Sequence, residues 1–294
     1  MSMATGIFLS MSENKTLIKR VGGKTKIRDW LYSLFPYHNT FVDVFGGSFI
    51  VGLGLIESNN SLYRVVLNDI DYNIVNFFRV LRDEPDELIR RLDLTPYSRE
   101  EFYKAHDALT QDNIDNIDDI ERARLFIIYN RQSIFGKETR DWCISRQGEN
   151  ISHTWANLPS FAKTVSKKLK YAFIENLDYQ NLIQRWDGET ALHYLDPPYK
   201  GVEKNFYKAN KKSGFDHDEM RKFLDNVKGS WAVSYYDSPF IRDLYDGFEF
   251  HEKKIVKHMQ IKKTGEKNEG SEVLIINRND YSKDKQEKSS CCLF

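Results

Sequence analysis

The stretch Tyr194-Leu195-Asp196-Pro197-Pro198-Tyr199 holds the most chemically demanding set of groups in the chain. Asp196 offers a charged hydrogen-bond acceptor, and the Pro197 carbonyl offers a second beside it. Together they can grip both N–H groups of an amine. An aromatic amine is a poor nucleophile because its lone pair is delocalised into the ring. Held by both hydrogens, its nitrogen becomes more tetrahedral and the lone pair can be aimed at an electrophilic carbon. Consecutive prolines fix φ and push the preceding residue out of the helical region, so this corner is stiff. Tyr199 adds a ring on which a flat base can stack. The bland alternative is an ordinary Pro-Pro loop after a strand.

Three earlier stretches could assemble a ligand site around that corner. In Gly22-Gly23-Lys24, paired glycines let the backbone approach a ligand closely and the lysine can meet a carboxylate, although a plain turn has the same composition. Phe45-Gly46-Gly47-Ser48 follows the strand that contains Asp43, and Asp69 ends the next strand. In doubly wound sheets the first turn cradles the ligand, and an acid about 20 residues further on takes ribose hydroxyls. A generic strand–helix turn with a helix-capping aspartate fits the same residues. In Ile174-Glu175-Asn176-Leu177-Asp178-Tyr179, Asp178 can accept an amino hydrogen and Tyr179 can pack on a purine face; the alternative is a simple loop.

The elements that must carry these residues are legible from hydrophobic periodicity. Ile27, Trp30, Leu31 and Leu34 form an amphipathic helix stopped by Pro36. Residues 41–45 read as a buried strand, 46–48 as a tight turn, 50–56 as an apolar helix and 62–67 as a second strand, which opens a parallel α/β sheet. From 74 to 168 the chain reads as mostly helical, with a capping box at Ser98 and Glu101 and a buried helix over 122–130. Residues 131–151 read as loops with a possible hairpin. Strands return at 171–174, 191–195 and 230–235, with a helix capped by Asp216 before the last. Residues 248–260 and 272–277 suit a closing antiparallel hairpin.

Bulk composition narrows the classes. Lysine plus arginine equals aspartate plus glutamate at 43 each in 294 residues, so any nucleic-acid contact must come from local basic patches. Cys143, Cys291 and Cys292 cannot build a disulfide framework and show no zinc spacing, which fits a reducing cytoplasm and no metal. No run of 18 or more apolar residues suggests a membrane span. Residues 1–15 read as a loose leader and 279–294 as a disordered tail. The terminal Cys291-Cys292-Leu293-Phe294 formally fits a prenylation box and is taken as chance.

The order Gly-Gly-Lys24, strand–Phe45-Gly-Gly-Ser48, Leu-Asn-Asp69, helical insertion, Asn-Leu-Asp178-Tyr179 and Asp196-Pro-Pro-Tyr199 resembles the Dam-like class of DNA adenine-N6 methyltransferases over residues 17–278. Phage, prophage and restriction–modification enzymes make up many of its members. The resemblance implies a Rossmann-like sheet at 16–72 and 169–278 that binds S-adenosyl-L-methionine (AdoMet), and a mainly helical target-recognition insertion at 73–168 that contacts double-stranded DNA. It implies that Lys24 contacts the methionine end, Asp69 the ribose, and Asp178 with Tyr179 the cofactor adenine. Asp196, Pro197, Pro198 and Tyr199 would hold a flipped-out adenine. Arg20, Gly23, Asp43, Phe45, Gly46, Gly47 and Ser48 complete the expected cofactor site.

The same resemblance implies that Asn130-Arg131, followed by Gly136, opens a loop near the DNA that also places Lys137 and Arg140 at the target. This chain departs from the family in having Phe49 where a second glycine is common and Arg20 where an aromatic is common. Lys204 and Lys208 belong to a basic stretch after the Asp196 corner that either neutralises phosphates or is merely solvated. Other readings are methylation of N4 of cytosine or of an RNA adenine, or a catalytically silent binding module. The sequence leaves the oligomeric state open, and a monomer is assumed.

Overall fold

The computed structural model describes residues 16–20, 22–57, 64–110, 114–136, 140–144, 151–199, 214–261 and 267–284. Helix α1, Arg28–Leu34, ends before Pro36, and the all-buried strand β1, Thr40–Asp43, follows it. Helix α2 (Ile50–Glu57) and strand β2 (Arg64–Asn68) complete the first strand–helix–strand unit. The chain then runs through α3 (Tyr72–Asp83), α4 (Pro85–Asp93), α5 (Arg99–Thr110), α6 (Asp119–Gln132), α7 (Ile151–Ala156) and α8 (Leu158–Leu169) before it re-enters the sheet at β3 (Ala172–Glu175). Helix α9 (Tyr179–Trp186), strand β4 (Ala191–Leu195), helix α10 (His217–Leu224), strand β5 (Ser230–Tyr236) and helix α11 (Pro239–Leu244) lead to the long pair β6 (Glu249–Ile261) and β7 (Lys267–Asn277).

The seven strands lie in the order β3-β2-β1-β4-β5-β7-β6. The first five are parallel, while β7 joins β5 and β6 joins β7 antiparallel. This is the expected Rossmann-like α/β sheet closed by a hairpin. Chain order reverses between β1 and β4, and ligands of open α/β sheets bind in the crevice beyond the carboxyl ends at such a reversal.

Alternation along the strands feeds two cores. Phe41, Val65, Leu67, Tyr194 and Leu274 face a core shared with α1 to α8, whereas Val42, Val66, Leu195, Trp231 and Ile275 face one shared with α9 to α11. The helical region between β2 and β3 is thus fused to one face of the sheet. Within it, α6 packs against α3 and α5, and α8 against α3 and α4.

Several local expectations are sharpened. Asp178 is the N-cap of α9, accepting from the amides of Gln180 and Asn181. Ser238 and Pro239 start α11, a helix that periodicity alone did not reveal. A single antiparallel bridge, Ser133 to Trp142, stands where a hairpin was possible. The charged tail begins as structure: Asn279 Nδ2 donates to the carbonyls of Glu189 (2.8 Å) and Lys228 (2.9 Å), and Ser282 is fully buried. The leader, the terminal Cys-Cys-Leu-Phe and the segment with Lys204 and Lys208 lie outside the described residues, as does Lys137. No helix among the described residues is long and apolar enough to cross a membrane.

Candidate active site

The carboxyl ends of β1, β2 and β3 are tied together by side chains at the end of β2. Asn68, 1% exposed, donates to the carbonyls of Val44 at 2.9 Å and Leu177 at 3.0 Å and accepts from the Leu177 amide at 2.9 Å. Asp69 accepts from the Gly47 amide at 2.9 Å and from the Asp71 amide at 2.8 Å. Each of its oxygens keeps a further acceptor position. The loops after β1, β2 and β3 are therefore fixed relative to one another before any ligand arrives.

The turn after β1 is built around a departure from the family pattern. Gly47 has φ +54, and Phe49 also has positive φ, at 55°. The left-handed region costs an L-residue about 1–2 kcal/mol, so a glycine would sit here without strain. Here the side chain offsets the strain: Phe49 is fully buried, with its ring 4.6 Å from that of Phe78. The same ring fills the space above Gly46, where a Cβ would stand 2.2 Å from it.

A cleft of about 260 Å³ opens beyond these ends. Arg20, Gly23, Lys24, Asp43, Phe45, Gly46, Gly47, Ser48, Asp69, Asp178 and Tyr179 all line it, as do Asp196 and Pro198 of the stiff corner. Every residue expected from the sequence to hold the cofactor thus faces one cavity together with the expected catalytic aspartate. Phe215 also lines it, with its ring 5.6 Å from Phe45 and 5.9 Å from Tyr179, and was not anticipated. It stands just before the Asp216 helix cap, and an isolated aromatic there gives no periodic signal.

The charges in the cleft are arranged differently from the first expectation. Lys24, 3% exposed, lines the cleft with its ammonium held by protein carboxylates. Its Nζ lies 2.8 Å from Asp196, 2.9 Å from Glu272 Oε1 and 2.8 Å from the Tyr199 hydroxyl, and it also donates to the Gly22 carbonyl at 3.1 Å. Burial opposes its charge, but the Asp196 and Glu272 carboxylates outweigh burial and hold Lys24 above its ordinary range. Burial raises Asp196 despite the attraction of Lys24. Its side chain remains 23% exposed to the cleft.

Tyr199, expected as an open stacking platform, is 8% exposed. Its hydroxyl donates to Glu272 at 2.9 Å, and its ring meets Tyr236 edge-on at 4.5 Å. Pro197 is buried behind the corner. Glu272 escaped sequence reading because a lone acid beside Val273-Leu274-Ile275-Ile276 resembles a solvent-facing strand residue. Only the pairing of β7 with β5 brings it to the corner.

Two residues expected at the DNA face inward. Asn130 exchanges hydrogen bonds with the Lys19 backbone, at 2.7 Å from the Lys19 amide and 3.0 Å to its carbonyl. The Arg131 guanidinium donates to the Thr16 carbonyl at 3.2 Å, and its own carbonyl accepts from Lys19 Nζ at 2.9 Å. They clamp the segment that leads into Arg20 and the glycine pair. Arg140 is 67% exposed beside α5, 3.7 Å from Asp107. Among the described residues no group of His, Cys, Asp and Glu could hold a metal ion.

The comparisons with known proteins agree with this geometry. The profile of the family described as "D12 class N6 adenine-specific DNA methyltransferase" matches residues 21–259. The chain is 28% identical over 296 residues to the Type II methyltransferase M.MjaIII of Methanocaldococcus jannaschii, covering 90% of this chain and 99% of the relative. It is 25% identical over 267 residues to the DNA adenine methylase of Haemophilus influenzae, covering 83% and 87%. Against the DNA adenine methylase of Escherichia coli K12 it is 23% identical over 269 residues, covering 83% and 89%. With the sheet order, the glycine turn and the Asp196 corner in one cleft, the profile match across most of the chain places this protein in the D12 class of N6 adenine-specific DNA methyltransferases.

Proposed function

We propose that the cleft binds AdoMet and that the Asp196 corner presents the N6 amino group of a flipped-out adenine, from a short duplex site, to it. The observation that carries this reading is the single cavity shared by the glycine turn, Asp69, Asp178 and Asp196. The donor set suits the ligand. Asp69 retains acceptor capacity for a ribose diol, and Phe45, Tyr179 and Phe215 offer apolar faces for a purine. The carboxyl groups of Asp43 and Asp196 line the same cleft and would face the sulfonium, and Arg20 with the Gly22-Gly23 backbone would meet the methionine end. When bound, AdoMet supplies an electrophilic methyl carbon.

The chain's own residues do the rest. Asp196 accepts one amine hydrogen and the Pro197 carbonyl the other, which turns the nitrogen lone pair out of conjugation. Preorganised acceptors of this kind act without reorganisation during the reaction. The raised affinity of Asp196 for a proton suits it to receive the one the amine sheds. An adenine N6 inside a duplex is base-paired and out of reach, so the base must leave the stack. Target recognition falls to the helical region 73–168, with exposed Arg140 on its surface and Lys137, Lys204 and Lys208 as further phosphate contacts.

The test is to incubate the protein with duplex DNA and methyl-labelled AdoMet, digest the product to nucleosides and identify the labelled species by mass spectrometry. Label in N6-methyladenine is expected. Label in N4-methylcytosine would redirect the substrate, and absence of AdoMet binding by calorimetry would leave only a binding module.

A further inference from the structure

Glu272 is assigned no role by the family resemblance, yet it occupies a costly position. It lies on β7 between Tyr236 of β5 and Lys253 of β6 in the strand register, with the alternation that turns Leu274 and Ile276 into the core. Its side chain is 6% exposed. A carboxylate buried in a strand interior weakens the fold unless it is paired and fully hydrogen-bonded, and an apolar residue there would serve stability better. Its pairing is specific: Oε1 lies 2.9 Å from Lys24 Nζ and accepts the Tyr199 hydroxyl proton at 2.9 Å.

Counting protons around this cluster shows what the carboxylate does. Lys24 has three donors and faces four acceptors: the Gly22 carbonyl, Asp196, the Tyr199 oxygen and Glu272. Tyr199 has a single O–H; it donates to Glu272 at 2.9 Å, although Asp196 is also within its hydrogen-bonding reach. Without Glu272, one lysine ammonium would be balanced by Asp196 alone, and the Tyr199 proton would be free to turn to the same aspartate. The group that must accept from the substrate amine would then be satisfied from inside the protein.

We infer that Glu272 is a positioning residue for methyl transfer: by accepting the Tyr199 hydroxyl hydrogen bond and sharing the Lys24 ammonium, it keeps these two donors from being committed to Asp196 alone, so that the Asp196 carboxyl group stays available to accept from the substrate amine. This inference rests on the proposed role of Asp196 as amine acceptor. It also accounts for the edge-on contact of Tyr199 with Tyr236, since the Tyr199 hydroxyl is anchored on Glu272.

The experiment compares wild type, Glu272→Gln and Glu272→Asp in single-turnover methylation across pH, with AdoMet binding followed by calorimetry. The Gln variant keeps the shape and an acceptor for Tyr199 but loses the charge. Its maximal rate is expected to fall about 10-fold or more, with AdoMet affinity and KM for DNA within about 3-fold of wild type.

The pH profile separates this from a structural role. The groups facing Asp196 are Lys24 from the turn after Gly23, Tyr194 of β4, Tyr199, Asp43 of β1, Tyr236 of β5 and Glu272. Removing the negative neighbour makes Asp196 lose its proton more readily, so the acidic limb of the rate profile moves to lower pH in the Gln variant and stays in place in the Asp variant. The Asp variant, with its carboxylate drawn back from Tyr199, is expected to lose rate while keeping that limb. If Gln lowers only the melting temperature, with rate and acidic limb unchanged, the inference is overturned. Should the Gln variant not fold, a wild-type rate in the Asp variant overturns it equally. If the wild type itself makes no N6-methyladenine, the underlying reading has failed, and the two failures are thereby told apart.

Discussion

Asp43 stands at the end of β1 with one carboxylate oxygen accepting from the Gly52 amide at 3.1 Å and 2% of its surface exposed. Burial pushes its carboxyl up to about 7; the Gly52 amide opposes the rise, while the Asp196 and Asp69 carboxylates add to it. A carboxyl raised above its unfolded value holds its proton more tightly in the folded state. Its stabilising contribution is therefore present at low pH and is lost as pH rises through about 7. Asp43→Asn keeps an acceptor for Gly52 and abolishes the charge. Its stability advantage over wild type is expected to grow by roughly 2–4 kcal/mol between about pH 4 and about pH 8, read from urea unfolding at each pH. A pH-independent difference would contradict the assignment. Asp43 was legible in the sequence as a strand-end acid near a glycine turn. Its burial was not, because that depends on β2 and β4 closing over both sides of β1.

Among the elements, the α6 end and the segment 16–20 illustrate where sequence reading stopped. The family resemblance, not any local pattern, places Asn130 and Arg131 near the DNA. In the structure the reciprocal hydrogen bonds of Asn130 with Lys19 fasten the segment that leads into Arg20 and Gly22. Gly136, with φ +67, is required by the same contact, since a Cβ there would stand 2.3 Å from the Lys19 carbonyl oxygen. Partners 111 positions apart carry no local signal. Asn130→Ala leaves two backbone groups of Lys19 without their partner, so it is expected to cost about 1–3 kcal/mol of stability. It should also weaken AdoMet binding while leaving the salt dependence of DNA binding unchanged. A flatter salt dependence with normal stability would return Asn130 to the DNA interface. The glycine turn, by contrast, was readable as a turn, because Gly46-Gly47 stands directly after an apolar strand, although its ligand role was shared with a generic strand–helix turn.

At the scale of the molecule, the first strand–turn–helix–strand unit and the recurrence of apolar strands made the Rossmann-like sheet legible. The closing hairpin followed from alternation on either side of a Lys/Gly/Asn-rich turn. The charge cluster under the Asp196 corner was not legible, because its members come from opposite ends of the chain and meet only when β7 inserts between β5 and β6. That cluster also makes the central claim separable from folding: Lys24 keeps Glu272 as a partner if Asp196 is removed. The most direct test is single-turnover methylation of duplex DNA by Asp196→Ala beside wild type, with AdoMet binding measured on the same preparations. Formation of N6-methyladenine is expected to fall by about three orders of magnitude or more, with AdoMet affinity within about 3-fold of wild type. An alanine variant that still methylates adenine at a comparable rate would contradict the account.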